Sequence, residues 1–162
     1  MLAQKDVLIF IHILALTVAL GGSVFQVFIL PLIAREKSNQ KNKIQIIARS
    51  ISLFSPISFG MLSIVVFTGI LLLFSLTKDI SNISSSFYLN VFSVKIVLVT
   101  AIFSIAAFQT FNLRFKIVFM DINKINEENP PKQFRFMRTC SIINIILTTI
   151  VVLLGITMSN LK

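Results

Sequence analysis

Two ionisable side chains stand inside otherwise apolar stretches of this sequence, and they are the first candidates for chemistry. His12 is the single histidine of the chain and lies six residues after Asp6 in a long apolar run. Lys95 lies seven residues after Tyr88 in another such run. At 1.5 Å per residue, each side chain starts about 9 to 10 Å into its run, so the two are expected at the same depth.

The residue types point to metal or haem chemistry, with structural alternatives. An isolated imidazole such as His12 can ligate haem iron or copper, or form a hydrogen bond between helices. A lysine within hydrocarbon, such as Lys95, marks a ligand site or extends back to the nearby interface, and beside a haem it would balance a propionate. For copper, Met158 is the soft ligand within predicted reach of His12, although methionine also fills cores. Cys140 falls at the opposite end of its run and is predicted to be an inert buried thiol.

Two glutamines share the depth relation of the ionisable pair. Gln26 and Gln109 come fourteen residues after His12 and Lys95, on the same helical face. Between His12 and Gln26 this face carries small residues, namely Ala15, Ala19, Gly22 and Ser23. Small side chains allow a neighbouring helix or a flat ligand to approach the backbone. This face is therefore predicted to point into the protein.

The composition and the apolar runs indicate that these side chains are positioned by membrane-spanning helices. Of 162 residues, 56% are hydrophobic and 13% are charged, and the mean hydropathy is +0.92. So little polar surface excludes disorder and argues against a water-soluble domain. Apolar runs at 7–33, 51–76, 89–111 and 140–158 are each long enough to cross about 30 Å of hydrocarbon. They predict an all-α integral membrane four-helix bundle that forms one domain over 1–162.

Charge sets the predicted orientation. Most of the fifteen Lys and Arg residues lie in the first and third connectors, at 35–49 and 114–138. The positive-inside rule places these connectors in the cytoplasm, and places both termini and the Lys78 connector outside. The predicted location is a cytoplasmic (inner) membrane, with the lipid bilayer as partner. Nucleic acid is not an expected partner, because acidic residues are interspersed among the basic ones.

The sequence contains a candidate internal repeat. Shifting it against itself by 83 residues pairs Gln26 with Gln109 and His12 with Lys95. With the offset increased by three, IVVFTGI in the second run matches IVVLLGI in the fourth. The repeat predicts two helical hairpins of like orientation, related by an axis along the membrane normal. Chance similarity between apolar helices is the alternative.

Signatures of soluble enzymes are absent from the sequence. No Asp or Glu falls within an apolar run, and there is no HExxH motif, nucleophile elbow or phosphate-binding loop. Enzymatic activity is therefore left open, with a non-catalytic role preferred.

The pattern of residues resembles the CopD copper-resistance membrane family. The resemblance is carried by His12, Gly21, Gly22, Pro31, Arg49, Thr68, Gly69 and Lys95 with the aliphatic residues that follow it. It implies an inner-membrane protein of copper uptake or tolerance. Members often carry an acid in the last span, where this chain has Asn144. More distantly, the chain is similar to HemJ-type protoporphyrinogen oxidases, whose haem site involves a first-span His and a third-span Lys, the positions of His12 and Lys95.

The function expected from this resemblance is copper handling, with copper or haem b bound near the outer surface. His12 and Lys95 are the expected cofactor-binding residues, and His12 and Met158 the expected metal ligands. One alternative is a non-catalytic accessory subunit of a larger membrane complex, such as a copper-dependent membrane oxidase. Another is a HemJ-like porphyrinogen oxidase. A homo-oligomer or a membrane-complex partner fits any of the three.

Overall fold

The fold consists of four long helices. The computed structural model describes residues 4–29, 31–32, 40–77, 86–119 and 132–160, and all of these except Phe119 are helical. The helices are α1 (Gln4–Val24), α2 (Gln40–Thr77), α3 (Ser86–Phe108) and α4 (Lys132–Asn160). Each contains a segment that is long and apolar enough to cross a membrane. The predicted all-α four-helix bundle is confirmed, and the four apolar helices fit a polytopic membrane protein.

Two of the helices change their winding at corresponding points. A π-helical segment, Phe25–Ile29, continues α1, and a second one, Gln109–Leu113, continues α3. The short α-helical stretch Arg114–Val118 then completes α3. Short π-helical segments are uncommon and are frequent at functional sites. Each of them contains one glutamine of the pair that the candidate repeat aligns.

The four helices begin before the predicted spans, which started at 7, 51, 89 and 140. The apolar segments are Gln4–Ile29, Ile44–Leu72, Asn90–Val118 and Lys132–Thr157. The predicted runs stopped at polar residues. A membrane helix can continue through Lys and Arg, because their long side chains bring the charged groups to the interface. Helical hydrogen bonds also keep satisfying the backbone there. Ile33, Lys78 and the Pro130–Pro131 pair of the connectors lie outside the described residues.

The helices are arranged as a square in which α1 and α3 are diagonal. α1 packs mainly against α2, and α3 mainly against α4, while smaller α1–α4 and α2–α3 contacts close the bundle. One apolar cluster lies where α2 and α4 begin, comprising Ile47, Ile51, Leu113, Ile117, Met137 and Cys140. We call this the basic end, because Arg49, Arg114 and Arg138 belong to it. The opposite end is called the His12 end.

The distribution of side chains is the reverse of that in a water-soluble bundle. Large apolar residues face outward, and Phe10, Phe67 and Val97 are each more than 60% exposed. Polar residues are buried instead, among them Gln26 and Gln109. An apolar exterior around a polar interior is stable in lipid, where apolar side chains need no protein cover. The surroundings of this bundle are therefore a lipid bilayer.

Small residues let α1 and α2 approach each other closely. Ala15, Ala19 and Gly22 are buried. A Cβ atom added at Gly22 would collide with Ser58 Oγ and stand 3.0 Å from Ser58 Cβ. The small-residue face of α1 was predicted to admit a helix or a flat ligand. At Gly22 the structure shows that it admits α2.

Candidate functional site

The His12 end contains an imidazole held by a hydrogen bond between helices. His12 Nδ1 lies 2.8 Å from the Oγ1 atom of Thr68 in α2. The same hydroxyl lies 2.7 Å from the Ile64 carbonyl oxygen of its own helix. The sequence pattern singled out both His12 and Thr68, but their contact requires the packing of α1 against α2.

The Thr68 hydroxyl is shared between the imidazole and its own helix, since its oxygen also lies 3.2 Å from the Val65 carbonyl oxygen. When the hydroxyl donates its proton to a carbonyl, Thr68 Oγ1 accepts from His12 Nδ1–H. Nε2 then has the lone pair, which is the form of histidine that ligates a metal.

Lys95 occupies the corresponding place in the other hairpin. A Cβ added at Gly155 of α4 would lie 3.4 Å from Lys95 Nζ, so the ammonium group lies against the backbone of α4. Lys95 is half-buried. His12 and Lys95, which the sequence placed at equal depth, therefore occupy equivalent positions in the two hairpins, each against the helix that follows its own.

Each ionisable residue lies against a glycine of its own hairpin. A Cβ at Gly69 would stand 3.4 Å from His12 Cε1, the same separation as between a Gly155 Cβ and Lys95 Nζ. Gly69 and Gly155 are the glycines aligned by the IVVFTGI and IVVLLGI motifs. Equivalent contacts in both hairpins, together with the two π-helical segments, support the interpretation of the sequence as a duplication.

The structure does not test Met158, the other proposed metal ligand, and it shows no cluster of further ligands in the part of the chain that it describes. There, no group of three or more His, Cys, Asp or Glu residues could hold a metal ion. Cys140 is a buried free thiol in the apolar cluster of the basic end. Met158 lies in the last turns of α4, and its side chain is outside the described residues. The predicted His12–Met158 pair therefore stays a prediction.

A second polar group lies deeper in the bundle and joins three helices. Ser141 Oγ in α4 donates to Gln26 Oε1 at 2.6 Å and accepts from Gln109 Nε2 at 2.9 Å. Gln109 Nε2 also donates to the Met137 carbonyl at 3.1 Å, and Gln109 Oε1 accepts from Asn144 Nδ2 at 3.2 Å. The two glutamines of the repeat therefore meet through one serine. We call Gln26, Gln109, Ser141 and Asn144 the glutamine layer.

Sequence reasoning found the glutamines but missed their partners. Ser141, Asn144 and Thr148 are buried on α4, and Ser55 and Thr110 pair at 3.1 Å between α2 and the second π-helical segment. The signal was present, because the polar residues 141, 144 and 148 recur at helical spacing on one face. Polar residues repeated in this way within an apolar run indicate an interior face.

A cavity of about 40 Å³ lies beside the glutamine layer. All four helices line it, for example through Ser23, Ser58, Ile102 and Asn144. The described interior thus contains two polar regions: the His12–Lys95 pair near one end, and the glutamine layer with its cavity further along the bundle.

Comparison with known proteins adds no relative from which function can be transferred. No family model, curated protein or solved structure matches the chain significantly.

Proposed function

We propose that this protein is a polytopic membrane haem protein that binds haem b at its His12 end, where His12 would hold the haem and Lys95 would pair with an anionic propionate. The observation that carries the proposal is the hydrogen bond between His12 Nδ1 and Thr68, because it orients the ring, and with Nδ1 as donor it leaves Nε2 available to a metal. The bound haem would supply one-electron redox chemistry.

The donor set fits haem better than a free copper ion. A porphyrin brings four nitrogen ligands of its own, so a haem site needs only one or two protein ligands. A copper ion needs several soft or imidazole ligands from the protein. Around His12 the described residues provide one such ligand. The nearby ammonium group of Lys95 suits a carboxylate-bearing ligand, whereas it would repel a bare cation.

Copper handling, as the resemblance to the CopD family implies, makes a different prediction for the same site. It requires copper bound through His12, with Met158 as the candidate second ligand. A purely structural role, as in an accessory subunit, requires that neither copper nor haem is bound. One set of measurements therefore separates the three alternatives.

The first prediction concerns His12 and Thr68. Protein purified in detergent is expected to show a Soret band with reduced-minus-oxidised changes typical of haem b, and His12→Ala is expected to abolish it. Thr68→Val keeps the side-chain shape but removes the acceptor for Nδ1, so haem affinity is expected to fall by about 10- to 100-fold. The measurement is haem titration followed by absorption, with elemental copper determined on the same samples.

The matched control is Thr17→Val. Thr17 is an exposed threonine of α1 whose hydroxyl bonds only to the Ile13 carbonyl of its own helix, at 2.9 Å. This variant is expected to bind haem like the unmodified protein. A Soret band that survives His12→Ala would contradict the proposal, as would a protein that neither contains haem nor takes it up. Copper that is bound without haem and lost in His12→Ala would establish copper handling instead.

A further inference from the structure

The cavity beside the glutamine layer has a wall rich in hydrogen-bond acceptors, and the direction of the hydrogen bonds can be followed from one fixed point. The Met137 carbonyl can only accept, so the atom of Gln109 that faces it must be Nε2. Gln109 Oε1 is then an acceptor, and the atom of Asn144 that faces it must be Nδ2. This leaves Asn144 Oδ1 as an acceptor.

Asn144 Oδ1 is buried and has no hydrogen-bond donor among the described residues. Asn144 is only 5% exposed and is one of the residues that line the cavity. A buried carbonyl oxygen without a donor costs about 1 to 3 kcal/mol. Exchanging the two ends of the Asn144 amide would not help, because Nδ2 would then be unpaired and Oδ1 would face Gln109 Oε1.

Hydroxyl groups add further acceptors to the lining of the cavity. Thr148 Oγ1 donates its proton to the Asn144 carbonyl at 2.7 Å, and Ser23 Oγ donates to the Ala19 carbonyl at 3.5 Å. Both line the cavity. Since their protons are used within their own helices, their lone pairs remain to accept. At Asn144 Oδ1, an occupant of the cavity must therefore donate a hydrogen bond.

Charge and size restrict the occupant further. An anion cannot donate to these acceptors. A bare cation would lack a counter-charge, since the apolar runs contain no Asp or Glu. A buried water needs about 10 to 15 Å³ of such volume, so the cavity of about 40 Å³ has room for about three.

We propose that this cavity is a water site: it holds a cluster of two or three ordered water molecules that donate to Asn144 and bridge the α1–α2 hairpin to the α3–α4 hairpin. Buried waters typically make about three hydrogen bonds to polar groups that would otherwise be unpaired. The cluster completes the polar contacts between the hairpins, and it does so whether or not haem binds at the His12 end.

Hydroxyl-radical footprinting by X-ray radiolysis tests the water site, because radicals formed from a bound water modify the side chains next to it. Ile102 lines the cavity and is 4% exposed, whereas Ile117 lies in the apolar cluster of the basic end and is 1% exposed. In the purified full-length protein, Ile102 is expected to be oxidised several-fold faster than Ile117. Equal rates for these two buried isoleucines would overturn the proposal.

Two variants sharpen the test. Asn144→Leu removes the unpaired acceptor, and Ala106→Leu fills the cavity from α3. Each variant is expected to lower the oxidation rate of Ile102 to that of Ile117. Ala106→Leu keeps the hydrogen bonds of the glutamine layer, so it provides the test if Asn144→Leu does not fold. Unchanged Ile102 oxidation in a folded Ala106→Leu variant would contradict the water site. A cation site would also contradict it. In that case, sodium or potassium salts would raise the melting temperature and abolish Ile102 oxidation, compared with a choline salt.

Discussion

At the scale of single residues, the smallest side chains decide where other groups can lie. Gly22 admits Ser58, Gly69 admits the His12 ring, and Gly155 admits the Lys95 ammonium group. Gly21 and Gly60, by contrast, have open space where a Cβ would stand. The chain thus contains glycines of both kinds, and they serve as controls for one another.

Gly22 and Gly21 make a matched pair for testing helix packing. Gly22→Ala is expected to lower the free energy of unfolding by about 1 to 3 kcal/mol, because Ser58 and α2 must shift to admit the methyl group. Gly21→Ala adds the same atoms in open space and is expected to be neutral or slightly stabilising. Unfolding in mixed detergent micelles measures both. Equal losses in the two variants would show that the close approach of α1 and α2 is not as described.

Gly69 tests the position of the His12 ring. A Cβ at this site would already touch Cε1, so Gly69→Leu must displace the imidazole and is expected to abolish haem binding. Gly60→Leu, in the same helix but with no neighbour, is the control and is expected to retain it. Haem titration by absorption measures both variants. Retention of full affinity in Gly69→Leu would place the haem elsewhere.

At the scale of helices, the two π-helical segments and the glutamine layer form the junction between the hairpins. Gln109 side-chain atoms bond to Met137, Ser141 and Asn144, whereas the described bond of Gln26 is to Ser141 alone. Gln109 is therefore the centre of this junction, although the repeat makes the two glutamines equivalent in sequence. The two glutamines differ in their number of hydrogen bonds because the partners of both lie on the same helix, α4.

This asymmetry predicts unequal effects of equal substitutions. Each hydrogen bond between membrane helices is worth about 0.6 kcal/mol on average, so Gln109→Leu is expected to destabilise by about 2 kcal/mol and Gln26→Leu by less. Asn112→Leu, at an exposed position of the same π-helical segment, is the control and is expected to change little. Unfolding in mixed micelles provides the measurement. A Gln26 effect equal to or larger than that of Gln109 would contradict the assignment.

At the scale of the whole molecule, most of the described basic residues lie at one end of the bundle, whereas those of the His12 end are Lys5 and Lys95. The described residues of the basic end include exposed Arg49, Lys116, Arg135 and Arg138. Anionic lipid and the positive-inside rule both favour such an end in the cytoplasm. The His12–Lys95 pair would then open toward the outer side of the membrane.

Cysteine labelling tests this orientation. In a Cys140→Ala background, Lys5→Cys is expected to react with a membrane-impermeant maleimide in intact cells, and Arg135→Cys only after permeabilisation. Both positions are exposed, so accessibility to solvent does not bias the comparison. The opposite pattern would reverse the orientation and place the His12 end in the cytoplasm.

Much of the architecture could be predicted from the sequence, because each apolar run is long enough to form a membrane-spanning helix on its own, without contacts from distant parts of the chain. Four apolar runs require four helices, since lipid satisfies no backbone hydrogen bonds. The rarity of polar residues within those runs also made His12, Lys95, Gln26 and Gln109 conspicuous. Helix ends were harder to predict, because Lys and Arg side chains extend past the point where the apolar run stops.

The tertiary structure alone decided which of these residues touch. The His12–Thr68 bond joins residues 56 positions apart, and the Gln26–Ser141 bond joins residues 115 apart. Which helices are neighbours and which are diagonal depends on the packing of small residues and on pairing of buried polar groups, and both arise only when faces meet. The amino-acid sequence by itself determined that the chain crosses a bilayer as four helices with few polar groups inside. The assembled bundle determined that these groups form an imidazole–ammonium pair and a glutamine layer beside a cavity.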